Sequence, residues 1–468
     1  MFNFTGTYTD LYQLSMAQVY FKNNQHEHTA VFDYFFRKLP FKGGYAIMAG
    51  LEDLLEILQN LTFSKEDITY LKSKDFDVDF LDYLADFKFT GTIYSVQEGE
   101  IVFQTAPILQ VKANIIEAQL IETILLNLLN FQTLIATKAS RMRLTAGDKV
   151  LLDFGLRRAQ GPGGYLASKA SMIGGFNGTS NVVTGRDFDI PISGTMAHSF
   201  IQSYDDELTA FRDFAIGRPK NCVLLVDTYD TLKSGIPNAI TVAKEMENRG
   251  QKLLAIRLDS GDLAYLAKRC RMLLDQADLN YVKIAASNQL DEYVIKSLQD
   301  QQAPIDIFGV GTNLVIGKPD AALDGVYKLT YFKDKPRIKI SESLTKTTLP
   351  HQKQVYRLVD SNGKLVGADA IAIRDEETLD VMHHPFEPYK KLDISSLTKV
   401  ALLNKVMENG NILIPKRSLT AIAQFSKERL AQLPLEYKRF DNPHIYKVGI
   451  SNNLKAERDR LIELHKNT

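Results

Sequence analysis

The densest run of chemically capable residues is Arg257-Leu-Asp-Ser-Gly-Asp262. In an extended strand residues 257 and 259 project to the same side. A guanidinium and a carboxylate then face one space. An arginine fork matches phosphate or carboxylate oxygens, and an ionised aspartate accepts from hydroxyls. The pair suits a ligand that carries both, such as a ribose phosphate. The competing reading is a structural ion pair beneath loops. It is the weaker one, because several other charged residues also end apolar runs here. Val226-Asp-Thr-Tyr-Asp230 is one of these, and Asp227 and Asp230 offer oxygens to Mg²⁺, directly or through water. Phe308-Gly-Val-Gly-Thr-Asn313 gives a GxG turn after an apolar run, where backbone amides can approach a phosphate. His198, in Ser193-Gly-Thr-Met-Ala-His198, stands where a helix-length segment begins and suits an acid, a base or a phosphoryl acceptor. No GxxxxGK[ST] occurs, so a nucleotide has to be held without a P-loop, and no HExxH suggests zinc.

Two further stretches offer a ring and an anion something to grip. Asp153-Phe-Gly-Leu-Arg-Arg158 sets two arginines beside an aromatic, followed by Gly161-Pro-Gly-Gly164. Phe154 offers a face for a flat ring. Gly174-Gly-Phe-Asn-Gly-Thr-Ser180 is a loop of glycines and small hydroxyls able to bring backbone N–H groups close to a ligand. Read alone, the arginine stretch fits a solvated turn equally well, and the glycine loop fits a flexible surface loop slightly better.

The elements that position these residues come in a rhythm. Apolar runs recur at 150–154, 190–192, 223–226, 253–256, 282–285 and 305–308, separated by helix-length segments at 197–214, 239–248, 262–277 and 290–301. Strand alternating with helix predicts parallel strands joined by right-handed crossovers. The polar residues fall at the carboxyl ends of the runs, which favours a barrel with one mouth over an open sheet. Before this stretch, residues 1–125 mix helical and strand-like pieces, including a helix after Thr9-Asp10 and a strand over 29–37. After it, Asp360-Ser-Asn-Gly363 between apolar runs predicts a hairpin, with helices over 418–432 and 453–466. The expected organisation is an N-terminal α+β domain over 1–125, an irregular α/β (TIM-like) barrel over 126–344 and a C-terminal extension over 345–468.

Composition bounds the function. The chain has 468 residues, 45% hydrophobic and 24% charged, with 56 basic against 56 acidic side chains. Zero net charge argues against nucleic-acid binding through a broad basic surface. Two cysteines in so long a chain are not a disulfide framework, so a reducing compartment is expected. The first residues lack a basic start followed by an apolar stretch, and no run approaches a membrane span. The expectation is a soluble cytoplasmic protein that binds neither membrane nor nucleic acid.

Seven segments in order resemble the nicotinate phosphoribosyltransferases: Tyr8-Thr-Asp-Leu-Tyr-Gln-Leu-Ser-Met16, Phe154-Gly-Leu-Arg-Arg-Ala-Gln-Gly161, Gly178-Thr-Ser180, Gly194-Thr-Met-Ala-His-Ser199, Asp227-Thr-Tyr-Asp230, Arg257-Leu-Asp-Ser-Gly-Asp262 and Gly309-Val-Gly-Thr312. The resemblance implies a type II phosphoribosyltransferase fold in a head-to-tail homodimer with each site at the subunit boundary. It implies the union of nicotinate with 5-phosphoribosyl 1-pyrophosphate, giving nicotinate mononucleotide and pyrophosphate on the way to NAD. ATP as co-substrate would be hydrolysed through a phosphorylated His198, with Mg²⁺ near Asp227. Arg257 would meet the pyrophosphate, Asp259 the ribose hydroxyls, and Gly309, Gly311 and Thr312 the 5-phosphate. Phe154 and a partner subunit's Tyr12 would sandwich the pyridine, Arg157 (rather than Arg158) would meet its carboxylate, and Thr195 lies within a turn of His198. Neutral Ser180 would favour the acid over the amide. The alternatives are nicotinamide or quinolinate phosphoribosyl transfer, a Schiff-base aldolase using Lys283, and a non-catalytic barrel that binds sugar phosphates.

Overall fold

The computed structural model describes residues 4–342, 346–387 and 389–466. The chain divides into two compact units, one made of 1–137 with 322–468 and the other of 138–321. The first division falls inside the helix Glu122–Ala146, past the boundary expected at 125/126. The boundary expected at 344/345 lies outside the described residues.

The first unit draws on both ends of the chain. Its seven-stranded sheet runs, edge to edge, Lys335–Pro336, Gly325–Phe332, Thr29–Phe36, Leu109–Asn114, Thr92–Ser95, Asn404–Glu408 and Asn411–Ile412. The segments expected as separate N- and C-terminal pieces therefore share one sheet. The interior strand Thr29–Phe36 is rich in β-branched and aromatic residues, and all but two of its side chains are buried. A second, six-stranded sheet holds the expected hairpin, Lys353–Val359 against Leu365–Ile373. The helix Leu51–Gln59 buries Leu51, Leu54, Leu55 and Leu58, the i, i+3, i+4, i+7 face its sequence spells out. The expected C-terminal helices form as Leu419–Gln432 and Asn452–Lys466.

The second unit is the α/β unit. Its strands are β1 (Val150–Asp153), β2 (Gly178–Thr179), β3 (Val223–Leu225), β4 (Ala255–Leu258), β5 (Lys283–Ala286) and β6 (Ile307–Val310). All pair in parallel, in the order β2-β1-β6-β5-β4-β3. The runs are near-continuously buried, as parallel strands covered on both faces require. The α/β class is as expected, but no closed barrel ladder is found among the described residues. Ile190–Ile192 forms no strand; only an isolated bridge joins Thr179 to Ile192. Across the remaining gap, the Thr195 hydroxyl donates to the Val223 carbonyl at 2.5 Å. A bridge and a side-chain bond stand where a barrel would have a ladder. The helix expected over 197–214 is two helices, His198–Gln202 and Glu207–Gly217. The break comes where Asp206 accepts from the Thr209 backbone N–H at 2.9 Å and starts the second helix afresh.

Candidate active site

Register lines up the chemistry. Leu225 of β3 lies opposite Arg257 of β4, Arg257 opposite Ala285 of β5, and Ala285 opposite Ile307 of β6. Two residues further along each strand come Asp227, Asp259, Ser287 and Gly309. Neighbouring strands lie about 4.8 Å apart, so one row at the carboxyl edge of the sheet carries two acids, a hydroxyl and a glycine.

The side chains in that row hold one another. Arg257 donates from Nε to the Ser287 hydroxyl at 2.9 Å and from Nη2 to Asp259 at 2.8 Å. Ser287 also donates to the same Asp259 oxygen. Asp227 Oδ2 accepts from the Asp259 backbone N–H and from the Ser260 hydroxyl, both at 2.7 Å. Asp227 Oδ1 is buried and has no hydrogen-bond partner. Val226 and Gly235 fix where Asp227 emerges: a Cβ on Gly235 would sit 1.8 Å from the Val226 carbonyl oxygen, so no side chain fits there. Asp230, expected as a second metal ligand, is engaged otherwise. Its carboxylate accepts from the backbone N–H groups of Leu232 and Lys233 at 3.1 and 2.9 Å, capping the π-helical turn Thr231–Gly235. Those backbone bonds, the one from Lys233 foremost, hold its carboxyl below the usual aspartate range.

His198 joins this row. Its Nδ1 lies 3.0 Å from the Thr228 hydroxyl, and its Nε2 is 3.9 Å from Asp259 Oδ2. The ring is half-exposed. On the other side of Arg257, its guanidinium carbon stands 5.5 Å from the centroid of the Phe154 ring. Phe154 lies against Gly309, where a Cβ would come within 2.5 Å of two ring atoms. Gly309 is thus the seat of the aromatic. A Cβ on Gly311 would come 3.3 Å from the Phe154 carbonyl oxygen, and Gly311 leads into the short helix that starts at Thr312. Asn313 anchors that turn by donating to the carbonyls of Gln289 and Leu290 at 2.9 and 3.1 Å.

The remaining expected residues sit as follows. Ser180 is half-buried, and its N–H donates to the Asp153 carbonyl at 2.8 Å. Arg157 and Arg158 lie in the turn Leu156–Arg158, exposed, with no ion-pair partner among the described residues. Thr195 points its hydroxyl at Val223, as above. Tyr12 belongs to the other unit, on the helix Leu11–Lys22, and is 52% exposed. Sequence reasoning missed Ser287, Thr228 and Asp153. Ser287 ends an apolar run one position after β5, the same signal that singled out Asp227 and Asp259.

Asp227 offers a cation one protein ligand rather than a full cage. One open, buried carboxylate oxygen is present, and no group of three or more His, Cys, Asp or Glu able to hold a metal occurs among the described residues. Among those residues, no helix is long and apolar enough to cross a membrane. Both cysteines are free and buried, and burial pushes each thiol up to about 12.

A parallel α/β sheet with an arginine, acids, an imidazole and a glycine turn along its carboxyl edge defines the enzymes that take ligands at strand ends. Three family models match the chain: the nicotinate phosphoribosyltransferase N-terminal domain over residues 7–130, the nicotinate phosphoribosyltransferase family over 150–388 and the nicotinate phosphoribosyltransferase C-terminal domain over 352–457. The chain is 44% identical to the nicotinate phosphoribosyltransferase of Bacillus subtilis, across 95% of this chain and 93% of that one. It is 39% identical to that of Dictyostelium discoideum, across 96% and 87%. The crystal structure of human nicotinic acid phosphoribosyltransferase superposes with a TM-score of 0.86 at 30% identity, covering 97% of this chain and 99% of that one. The chain belongs to the nicotinate phosphoribosyltransferase family.

Proposed function

We propose that the protein joins nicotinate to 5-phosphoribosyl 1-pyrophosphate, releasing pyrophosphate and forming nicotinate mononucleotide for NAD synthesis, with ATP hydrolysed through a phosphorylated His198. The observation that carries this reading is the row of Asp227, Asp259, Ser287 and Gly309, with Arg257 held across it. Family membership supplies the substrate class.

The anomeric carbon loses pyrophosphate through an oxocarbenium-like state, so a site must hold a departing polyanion and a transient cation. Arg257 is oriented by Ser287 and Asp259 through Nε and Nη2, which leaves Nη1 for an anionic oxygen. Asp259 Oδ2 is free to accept from ribose hydroxyls. The backbone amides near Gly311 and Thr312 suit the 5-phosphate. Asp227 would hold Mg²⁺ by its unpartnered oxygen, with water and substrate oxygens completing the shell. When bound, that cation would neutralise charge on the pyrophosphate. Phe154 presents a ring face to the pyridine, with Tyr12 of a second subunit on the other face in a homodimer. Arg157 would meet the nicotinate carboxylate.

His198 suits the ATP step by its two nitrogens. Thr228 engages Nδ1, and Nε2 carries no hydrogen bond among the described residues. Nε2 would attack the γ-phosphorus, the bond to the β-bridging oxygen would break, ADP would leave and the imidazole proton would pass to solvent. Water later returns the imidazole and releases phosphate. The Schiff-base alternative loses ground on position: Lys283 is exposed at the first residue of β5, while the site residues stand at the opposite ends of their strands.

The test is incubation with radiolabelled nicotinate and 5-phosphoribosyl 1-pyrophosphate, with and without ATP and Mg²⁺, with nicotinamide and quinolinate assayed alongside. Labelled nicotinate mononucleotide, made faster with ATP, is expected. Label incorporated from nicotinamide or quinolinate instead would overturn the reading.

A further inference from the structure

The last residue of β1 is Asp153, and it is completely buried. A buried carboxylate without partners is costly, so its surroundings say what it is for. Oδ1 accepts from the Gly155 backbone N–H at 2.8 Å. Oδ2 accepts from the Ser168 hydroxyl at 2.6 Å and from the Thr179 hydroxyl at 2.8 Å. Thr179 then accepts from the Asn181 N–H at 3.0 Å, and the Asp153 carbonyl accepts from Ser180 N–H at 2.8 Å. Three separate pieces of chain meet on this one side chain. They are the turn that carries Phe154, the helix Gly163–Ile173 and the loop that carries Ser180.

We infer that Asp153 is a positioning residue for the pyridine half of the site, setting the distance between the Phe154 ring and the Ser180 loop without touching substrate. The inference rests on the proposed function only in naming the ring as a pyridine. The geometry gives the reason. Phe154 and Ser180 flank Asp153 on neighbouring strands, and neither is tied to the other by its own side chain. Gly155 cannot shift to compensate, since a Cβ there would already sit 2.0 Å from Val315, and Phe154 is seated on Gly309. The carboxylate is also the right group chemically. It is acceptor-only when ionised, and all three neighbours donate to it. An asparagine of the same shape must point an N–H₂ at either the Gly155 N–H or the two hydroxyls. The hydroxyls would have to turn; Ser168 can turn to the Gly164 carbonyl at 2.9 Å, releasing the clamp.

The experiment is steady-state kinetics on Asp153→Asn, Thr179→Val and Thr179→Ser in the full-length protein, with KM measured separately for nicotinate and for 5-phosphoribosyl 1-pyrophosphate. Loosening by a fraction of an ångström is expected to raise the nicotinate KM about tenfold in Asp153→Asn and Thr179→Val. The KM of the sugar pyrophosphate should stay within about twofold, and Thr179→Ser, which keeps the hydroxyl, should resemble wild type. A nicotinate KM unchanged in both Asp153→Asn and Thr179→Val overturns the inference. So does an equal rise in both KM values in folded protein, which is what a merely structural role would give. If Asp153→Asn does not fold, the Thr179 pair decides alone. Wild type that fails to use nicotinate at all would strike the proposed function, a separate outcome from these.

Discussion

Two ionic clusters in this molecule use the same residue types to opposite ends. In the unit that joins the chain's two ends, Arg357 is fully buried between Glu100 and Asp369. Its Nη1 donates to Glu100 at 2.5 Å, Nε and Nη2 to Asp369 at 3.1 and 3.0 Å, and Nη2 also to the Ile101 carbonyl at 2.8 Å. Arg429 and the Tyr446 hydroxyl take up remaining lone pairs of Glu100 and Asp369. In the α/β unit, Arg257 makes two bonds and leaves Nη1 open, Asp227 keeps a buried oxygen with no hydrogen-bond partner, and Asp259 Oδ2 lies 3.9 Å from His198 Nε2. A cluster that holds a fold satisfies itself. A cluster that binds a ligand, as we propose for this one, would stop short and leave valences for the ligand to complete.

The largest effect should come from opening the closed cluster. Arg357→Met strands two buried carboxylates, and breaking such a pair costs about 3–5 kcal/mol. A large fall in the denaturation midpoint, with little soluble protein at 37 °C, is expected. Arg257→Met should do the reverse. Its thermal midpoint should stay near wild type, while kcat/KM for 5-phosphoribosyl 1-pyrophosphate falls about 10²- to 10³-fold, the usual loss for a donor aimed at developing charge. Equal destabilisation by the two variants would erase the contrast.

His198→Ala sharpens the same contrast from the catalytic side. Nicotinate-dependent ATP hydrolysis should disappear while slow, uncoupled transfer persists. Full ATPase activity in this variant would remove His198 from the phosphoryl step. Ser180→Asp is expected to be milder. A carboxylate beside the nicotinate carboxylate repels it, so the nicotinate KM should rise about tenfold, and nicotinamide, whose amide can donate, should become a better substrate. Unchanged nicotinate kinetics would show that Ser180 does not read the ring substituent.

The open cluster was more legible in the sequence than the closed one, for a physical reason. Parallel strands covered on both faces must be apolar, so an acid or a glycine at the end of such a run stands out, as Asp227, Asp259 and Gly309 do. Ser287 ends its run in the same way, but a small hydroxyl is also common in turns, so it stands out less than an acid does. Arg357 and Lys353 lie on one strand, Lys353–Val359, whose sequence KQVYRLV has no strict alternation to mark which side chains are buried. Their partners Glu100 and Asp33 lie more than 250 residues away, and pairing at that range leaves no periodicity. Sheet order was hidden likewise: alternation predicts parallel strands, but which strand lies beside which depends on crossovers. The expected barrel stops as a row of six because Gly178–Thr179 is a two-residue strand, too short to continue the ladder beyond one bridge.

The smallest expected effect separates satisfaction from burial. Asp67 is only half-buried, yet, like Asp369, it has both carboxylate oxygens hydrogen-bonded. It accepts from the Ser64 backbone N–H at 2.8 Å and from the Thr7 hydroxyl at 2.7 Å, while Ser64 accepts from the Asp67 N–H at 3.0 Å, completing a capping box at the helix Lys65–Lys72. Partial burial works to raise its pKa, but the hydrogen bonds from Ser64 and Thr7 outweigh it and hold the carboxyl below the ordinary aspartate value of 3.8. A carboxyl depressed in the folded state stabilises the fold above its unfolded pKa, and that stabilisation fades as pH falls through the folded value. Asp67→Ala should therefore cost about 1 kcal/mol at pH 7, the usual net worth of a hydrogen bond. The gap in thermal midpoint between wild type and variant should narrow once the pH is taken below 3.8. If closure rather than depth is what makes a carboxylate structural here, this half-buried acid will follow Asp369 in stability and leave the KM values untouched. A variant that keeps its midpoint at pH 7 would mean that burial alone divides the two kinds of cluster.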